Sequence, residues 1–319
     1  MKSFKKGILK VLKYSLVIFL LLKIYFEAGN IIYDNQIDQK LLSEMNPQTD
    51  IESNTLDETN GNFHYYVSGK IDAPLLVFVH PAFADHRVFN SQVDFFSKNY
   101  RVITVDLIGH GMSQPKNSTV KIDRSADYMN NLMENEGYES AHFIGLSLGS
   151  LVIQQFKDLY PKKVSSLTVV GGYDIHKTND QVNREQNKTK FGALLRAIFS
   201  MKAFRRHATS IATHSPKGEL QFYAATSRYT RKSFRVMSGV TAILESQQGN
   251  VTPVPLLLMI GEHDVDIAKS LVHEWHKRNS ETELIEVKDA GHCINLDQPE
   301  QFNKTLLNFL TNIEKDKLK

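Results

Sequence analysis

"HFIGLSLGSLVIQQF", residues 142–156, sets a serine between two glycines where an apolar run gives way to a helical pattern. Serine is a mediocre helix former and does better in caps and turns. The preceding run, "AHFIG" (141–145), reads as a buried strand, and Leu148 opens the helix. Ser147 therefore occupies a sharp strand-to-helix turn of the form G-x-S-x-G, with Gly145 and Gly149 relieving crowding on either side. Such a turn exposes Oγ and aims the unpaired N–H groups of the helix's first turn at whatever that oxygen attacks.

A serine hydroxyl needs a general base, and the base needs an orienting acid. Asp264 lies just past "PLLLMIG" (255–261) in "GEHD" (261–264), and His292 follows "ELIEV" (283–287) in "GHCINLDQP" (291–299). Each falls just after a predicted strand, so all three side chains can meet at one rim of a sheet. Asp266 is the rival acid, and the strand-end position favours Asp264.

Further apolar runs at "LLVFVH" (75–80), "RVITVD" (101–106) and "SLTVV" (166–170) suit strands buried on both faces, as in a parallel sheet. "NFHYYVSG" (62–69) adds an antiparallel strand at one edge. Helical patterns at 122–136, 148–160, 267–279 and 299–318 alternate with the strands, which predicts an α/β fold with a mostly parallel sheet and helices on both faces. From 171 to 250 the alternation stops and the chain reads as helices, most simply a cap folded over the sheet's edge. The core is then 62–170 with 251–319.

Four segments, "HPAFADHRVF" (80–89), "DLIGHGMS" (106–113), "GLSLG" (145–149) and "GEHD…GHCINLDQP" (261–299), together resemble the α/β-hydrolase-fold family. The resemblance implies a serine hydrolase with a Ser147, His292, Asp264 triad and an acyl-enzyme, acting on a carboxylic ester, with a lipid or other hydrophobic acyl compound as a candidate substrate. It also implies an oxyanion hole formed by the N–H groups of Ala82 and Leu148. The family usually has glycine where this chain has Pro81; proline lacks an N–H, but the donor would be Ala82. Two alternatives stay open. One is hydrolysis of an amide, thioester or carbon–carbon bond on the same fold, and the other is a catalytically silent ligand-binding protein.

The chain has 319 residues, 41% hydrophobic and 23% charged, enough for one catalytic-sized domain with an insertion. Net charge is +3, yet residues 171–250 carry thirteen Lys/Arg against five acids. That excess reads as a solvated helix surface or as attraction to anionic headgroups or an acidic substrate. No nucleic-acid-binding motif accompanies it, so no nucleic-acid partner is expected. The single Cys293 excludes an internal disulfide and a Cys-rich metal site, and no cofactor or metal is expected.

Residues 1–28 place Lys2, Lys5, Lys6, Lys10 and Lys13 ahead of an apolar run interrupted by Lys23. This pattern predicts a single-pass signal anchor in the cell membrane, with the domain outside and 29–61 as a polar tether. The alternatives are a cleaved signal peptide of a secreted protein and an amphipathic helix packed on the domain. Asp106, His110 and Ser113 read as a turn that supports the fold, His80 as a packing or hydrogen-bonding residue, and His86 and Arg87 as exposed loop residues, with a place near the pocket mouth as the alternative.

Overall fold

The computed structural model describes residues 2–36, 52–58, 61–117, 119–177, 192–245 and 253–317. Eight strands, β1 (Glu52–Glu58), β2 (Gly61–Gly69), β3 (Leu75–Val79), β4 (Arg101–Val105), β5 (Ala141–Leu146), β6 (Val164–Val170), β7 (Leu256–Gly261) and β8 (Glu283–Val287), form one sheet in the order β1-β2-β4-β3-β5-β6-β7-β8. From β4 to β8 every neighbouring pair is parallel. Strands β3 and β5 are buried along their whole length, which is why they read as unbroken apolar runs.

Two apolar cores lie on opposite faces. On one, Val77, Phe143 and Val169 meet Met129, Val152 and Trp275, from the helices Ser125–Asn135, Leu148–Leu159 and Asp266–Arg278. On the other, Phe78, Ile144 and Met259 meet Phe96, Phe302 and Leu306, from Asn90–Phe96 and Pro299–Lys317. This is the doubly covered α/β architecture that the alternating pattern predicts.

The sheet extends one strand further than the sequence suggested. Strand β2 is antiparallel, but it lies between β1 and β4, and β1 is the edge. β1 falls within the stretch expected as a tether, and only Leu56 among "ESNTLDE" is apolar, so hydropathy could not reveal it. A short, acidic, exposed strand is a common way to end a sheet without inviting another chain to pair with it.

The amino terminus also differs. Residues Lys2–Gln36 form one helix, and among the described residues no helix is long and apolar enough to cross a membrane. The expected single-pass anchor in the cell membrane is therefore overturned, and membrane association through this segment finds no support. The physical reason is length: between Lys13 and Lys23 only the stretch 14–22 is free of charge, about 14 Å of helix against a hydrocarbon core of about 30 Å. The helix instead rests on the insertion between β6 and β7. Phe19 and Phe26 pack on Phe199 at ring-centroid distances of 5.0 and 5.9 Å, and the Arg206 guanidinium donates to the carbonyls of Phe26 and Gly29.

Within that insertion, helices span 192–199, Met201–Ala212, Pro216–Ala225 and Val240–Glu245. Ser200 separates the first two, and its Oγ accepts the Ala203 N–H and caps the second.

Candidate active site

Ser147 joins β5 to the helix Leu148–Leu159 with φ 50° and ψ −111°, a conformation that a residue with a side chain rarely adopts. The turn is over-determined by its bonds. Ser147 N–H donates to Val170 O at 2.8 Å, and its own carbonyl accepts from Ser150 N–H at 3.0 Å and Ser150 Oγ–H at 2.6 Å. The two glycines of the opening stretch are explained by close approach. A Cβ on Gly145 would collide with the backbone of Gly149 and Ser150, and one on Gly149 with the carbonyl of Val79. Strand β5, the helix and β3 pack backbone to backbone at these two positions.

Asp264 sits in the turn after β7 and is buried, and its Oδ1 accepts the Val265 N–H at 2.7 Å. His292 Nδ1 lies 2.8 Å from Asp264 Oδ1 and 2.9 Å from Oδ2. A carboxylate only accepts, so Nδ1 carries the proton and Nε2 keeps its lone pair. Burial disfavours the imidazolium, but the charge of Asp264 and its hydrogen bond outweigh that, and the His292 pKa stands above its ordinary value. The ring packs over Gly171, which follows β6 at φ +57°; a Cβ there would stand 2.8 Å from the imidazole. Asp266 is exposed on the first turn of its helix. Cys293 is buried, its thiol pKa pushed well up by burial, which leaves no reactive thiolate.

Ala82, Leu148, Ser147 and His292 line a common cavity of about 300 Å³. The rest of its described lining is apolar or glycine apart from Tyr173, with Leu151, Met237, Val240, Val265, Ala268 and Leu271 contributing most of the bulk. No Lys, Arg, Asp or Glu stands among those residues. Among the described cations of the insertion, Arg205 bonds Ser227 O and Tyr229 O, Arg231 bonds Ala197 O, and Arg228 stands beside Asp85.

His80 is buried and bears on Pro81. Leu107 N–H donates to His80 Nε2 at 2.9 Å, so Nδ1 holds the proton and donates to Pro81 O at 2.8 Å. Burial lowers the His80 pKa, keeping it neutral in that tautomer. In a trans peptide the N–H points opposite to the C=O, so holding Pro81 O fixes the direction of Ala82 N–H. A proline at this place is compatible with a fixed donor.

His86 and Arg87 are not the exposed loop residues that the sequence suggested. His86 is buried, stacks on Tyr66 at 3.5 Å and, through its N–H and Nδ1, bonds Asp106 Oδ1 at 3.0 and 2.8 Å. Asp106 Oδ2 accepts from Met112 N–H and Tyr66 O–H. Burial raises the cost of its charge, yet the His86 bond prevails and the carboxyl pKa falls far below the ordinary range. Arg87 forks onto Asp85 through Nε at 2.8 Å and a terminal nitrogen at 2.7 Å. These groups brace the loop 80–89. Tyr66 carried no motif by which sequence could single it out, since its partners His86 and Asp106 lie on other segments.

The sheet order, the elbow and the rim position of Asp264 and His292 define a hydrolase-type α/β enzyme. The Alpha/beta hydrolase family pattern matches residues 76–305, and the chain belongs to that family. Among curated relatives, Carboxylesterase YbfK of Bacillus subtilis (strain 168) is 26% identical over 258 residues, covering 78% of this chain and 84% of its own. An uncharacterized carboxylesterase, nap, of the same organism is also 26% identical, over 254 residues, covering 78% and 83%. Among solved structures, a carboxylesterase of Nitrososphaera gargenis superposes with a TM-score of 0.69 at 19% identity, over 82% of this chain and all of that one, a likeness of fold.

Proposed function

We propose that this protein hydrolyses carboxylic esters by acyl transfer through Ser147, with His292 as base and Asp264 as its orienting acid. The observation that carries the reading is the His292 Nδ1–H bond to Asp264, with Ser147 on the rim of the same cavity. In the first half-reaction Nε2 takes the Ser147 Oγ proton as Oγ bonds the ester carbonyl carbon. The N–H groups of Leu148 and Ala82 receive the charge that develops on the carbonyl oxygen, and each such donor contributes about 3 to 4 kcal/mol of transition-state stabilisation. Collapse breaks the carbon–alcohol bond, and Nε2–H gives its proton to the leaving alcohol. Water, deprotonated by Nε2, then cleaves the acyl-enzyme and returns Ser147.

The finer substrate reading follows from the lining. A cavity near 300 Å³ is at the small end of ligand pockets and suits a short, uncharged acyl group rather than a full lipid chain. A substrate carboxylate would meet no cation among the described lining residues, and Arg205 and Arg231 of the insertion are engaged elsewhere. The insertion, 171–250, acts in this reading as a cap that supplies Met237 and Val240 to the pocket.

The test pairs a fluorophosphonate probe with an ester panel. Labelling and turnover of the parent, both lost in Ser147→Ala, support the reading; absence of labelling in folded parent protein favours a silent binder. Neutral short-chain esters are expected to exceed long-chain and carboxylated ones in kcat/KM, with no salt-dependent preference for the latter. The same panel extended to amides and thioesters decides the bond cleaved.

A further inference from the structure

Asp297 closes the short helix Ile294–Asp297, just beyond His292, and is buried. Its carboxylate accepts four hydrogen bonds, each 2.8 Å: Oδ1 from Ser215 N–H and Ser215 Oγ–H, Oδ2 from His214 N–H and Gly291 N–H. A buried carboxylate is tolerated only when its lone pairs are met in this way. Three of the donors belong to the insertion's turn at the start of the helix Pro216–Ala225, whose amino end itself favours negative charge. The fourth, Gly291 N–H, belongs to the residue immediately before His292.

The peptide on the other side of His292 is tied to the same place, because Cys293 N–H donates to Ala212 O at 2.7 Å. The backbone N–H groups on both sides of the imidazole are thus held against residues 212–215, one of them through Asp297. Asp264 orients the ring about its Nδ1–H bond, but these two backbone anchors decide where the ring stands. Asp297 does not line the cavity.

We infer that Asp297 is a positioning residue for His292, tying the loop that carries the base to the turn 212–215, so that the seating of the insertion and the placement of the imidazole form one arrangement. The inference rests on the triad reading. It assigns to an acid outside the cavity a control over kcat that owes nothing to substrate contact.

Two variants test it. Asp297→Asn keeps the volume but turns one acceptor oxygen into a donor that faces N–H groups. Gly218→Ala leaves the carboxylate in place and wedges it, because a Cβ at 218 would collide with Asp297 Oδ1. Both are expected to lower kcat roughly ten- to a hundredfold, the scale set by a misplacement of about 1 Å, with KM within about threefold of the parent. The rate of Ser147 labelling by a fluorophosphonate, which needs the base but no substrate pocket, should fall by the same factor. Folded Asp297→Asn with kcat and labelling rate within about twofold of the parent, or with a loss confined to KM, overturns the inference. Should Asp297→Asn fail to fold, Gly218→Ala decides on the same criteria. Ser147→Ala separates the two levels: residual turnover there sinks the triad reading, whereas a dead Ser147→Ala beside an unimpaired Asp297→Asn sinks only the role of Asp297.

Discussion

His292 Nδ1 stands 2.8 Å from Asp264 Oδ1, although 28 residues separate the two in the chain. The turns that follow β7 and β8 bring them together, since the two strands lie side by side in parallel and their carboxyl ends emerge at one rim. The bond does two things at once. It puts the imidazole proton on Nδ1, and it raises the pKa of the ring against the pull of burial.

The pH dependence of kcat/KM should follow from that shift. Only neutral His292 accepts a proton, so activity falls as pH drops, with an acid limb whose midpoint lies above the ordinary 6.5. Asp264→Asn should move that limb to lower pH and cut kcat by about 10⁴, because the asparagine no longer enforces the tautomer. An acid limb that stays in place in Asp264→Asn would show that the carboxylate does not set the base's pKa.

Gly171 is the place where a single methyl group would meet the His292 ring. Alanine there would adopt an unfavourable positive φ and stand 2.8 Å from the ring. Gly171→Ala is expected to lose at least tenfold in kcat and about 1 to 3 kcal/mol of stability, the range for backbone strain of this kind. Thermal melts alongside steady-state kinetics measure both.

His80 should control the oxyanion donor without touching substrate. Replacing it by alanine frees Pro81 O and with it the peptide whose other end is Ala82 N–H. A fall in kcat of ten- to a hundredfold, at unchanged KM, is the expected result, below the full loss of a donor at about 3 to 4 kcal/mol. A change in KM alone would assign His80 to packing.

His176 carries a stability prediction of opposite sign to the catalytic one. Its Nε2 faces Asp158 at 2.8 Å and its Nδ1 faces Asp174 at 3.2 Å, where β6 leads into the insertion, and these bonds raise its pKa to about 9. A group whose folded pKa is raised contributes fully below its unfolded value, near 6.5, and loses that contribution as pH climbs through about 9. Burial opposes the charge on Asp158 and Asp174, but the His176 bonds prevail and lower both pKa values, so their contribution fades instead as pH falls through the acidic range. Urea midpoints should therefore decline between pH 7 and pH 10, and His176→Asn should flatten that decline.

Much of this molecule is written locally. "GLSLG" specifies its own turn because the crowding that Gly145 and Gly149 relieve arises within a few residues and one neighbouring strand. The buried strands β3 and β5 are legible because burial on both faces demands an unbroken apolar run. The strands before Asp264 and His292 are legible as apolar runs, and that fixes both residues just past the carboxyl ends of neighbouring strands.

Other features depend on partners that no local pattern encodes. His86 looks like a loop residue until Asp106 and Tyr66 close over it, and β1 looks like a tether until β2 offers its free edge. The amino-terminal helix carries an apolar stretch that sequence assigned to lipid, and the tertiary structure sets its rings on Phe199. Asp297 is one acid among many in sequence, and four donors, three of them from the distant turn at 214–215, single it out in space. Propensity and pattern act over a few residues and so determine elements. Which polar groups lose water together is decided only when those elements pack, because the cost of burying a charge or an unpaired N–H is met by whatever partner the fold brings within 3 Å.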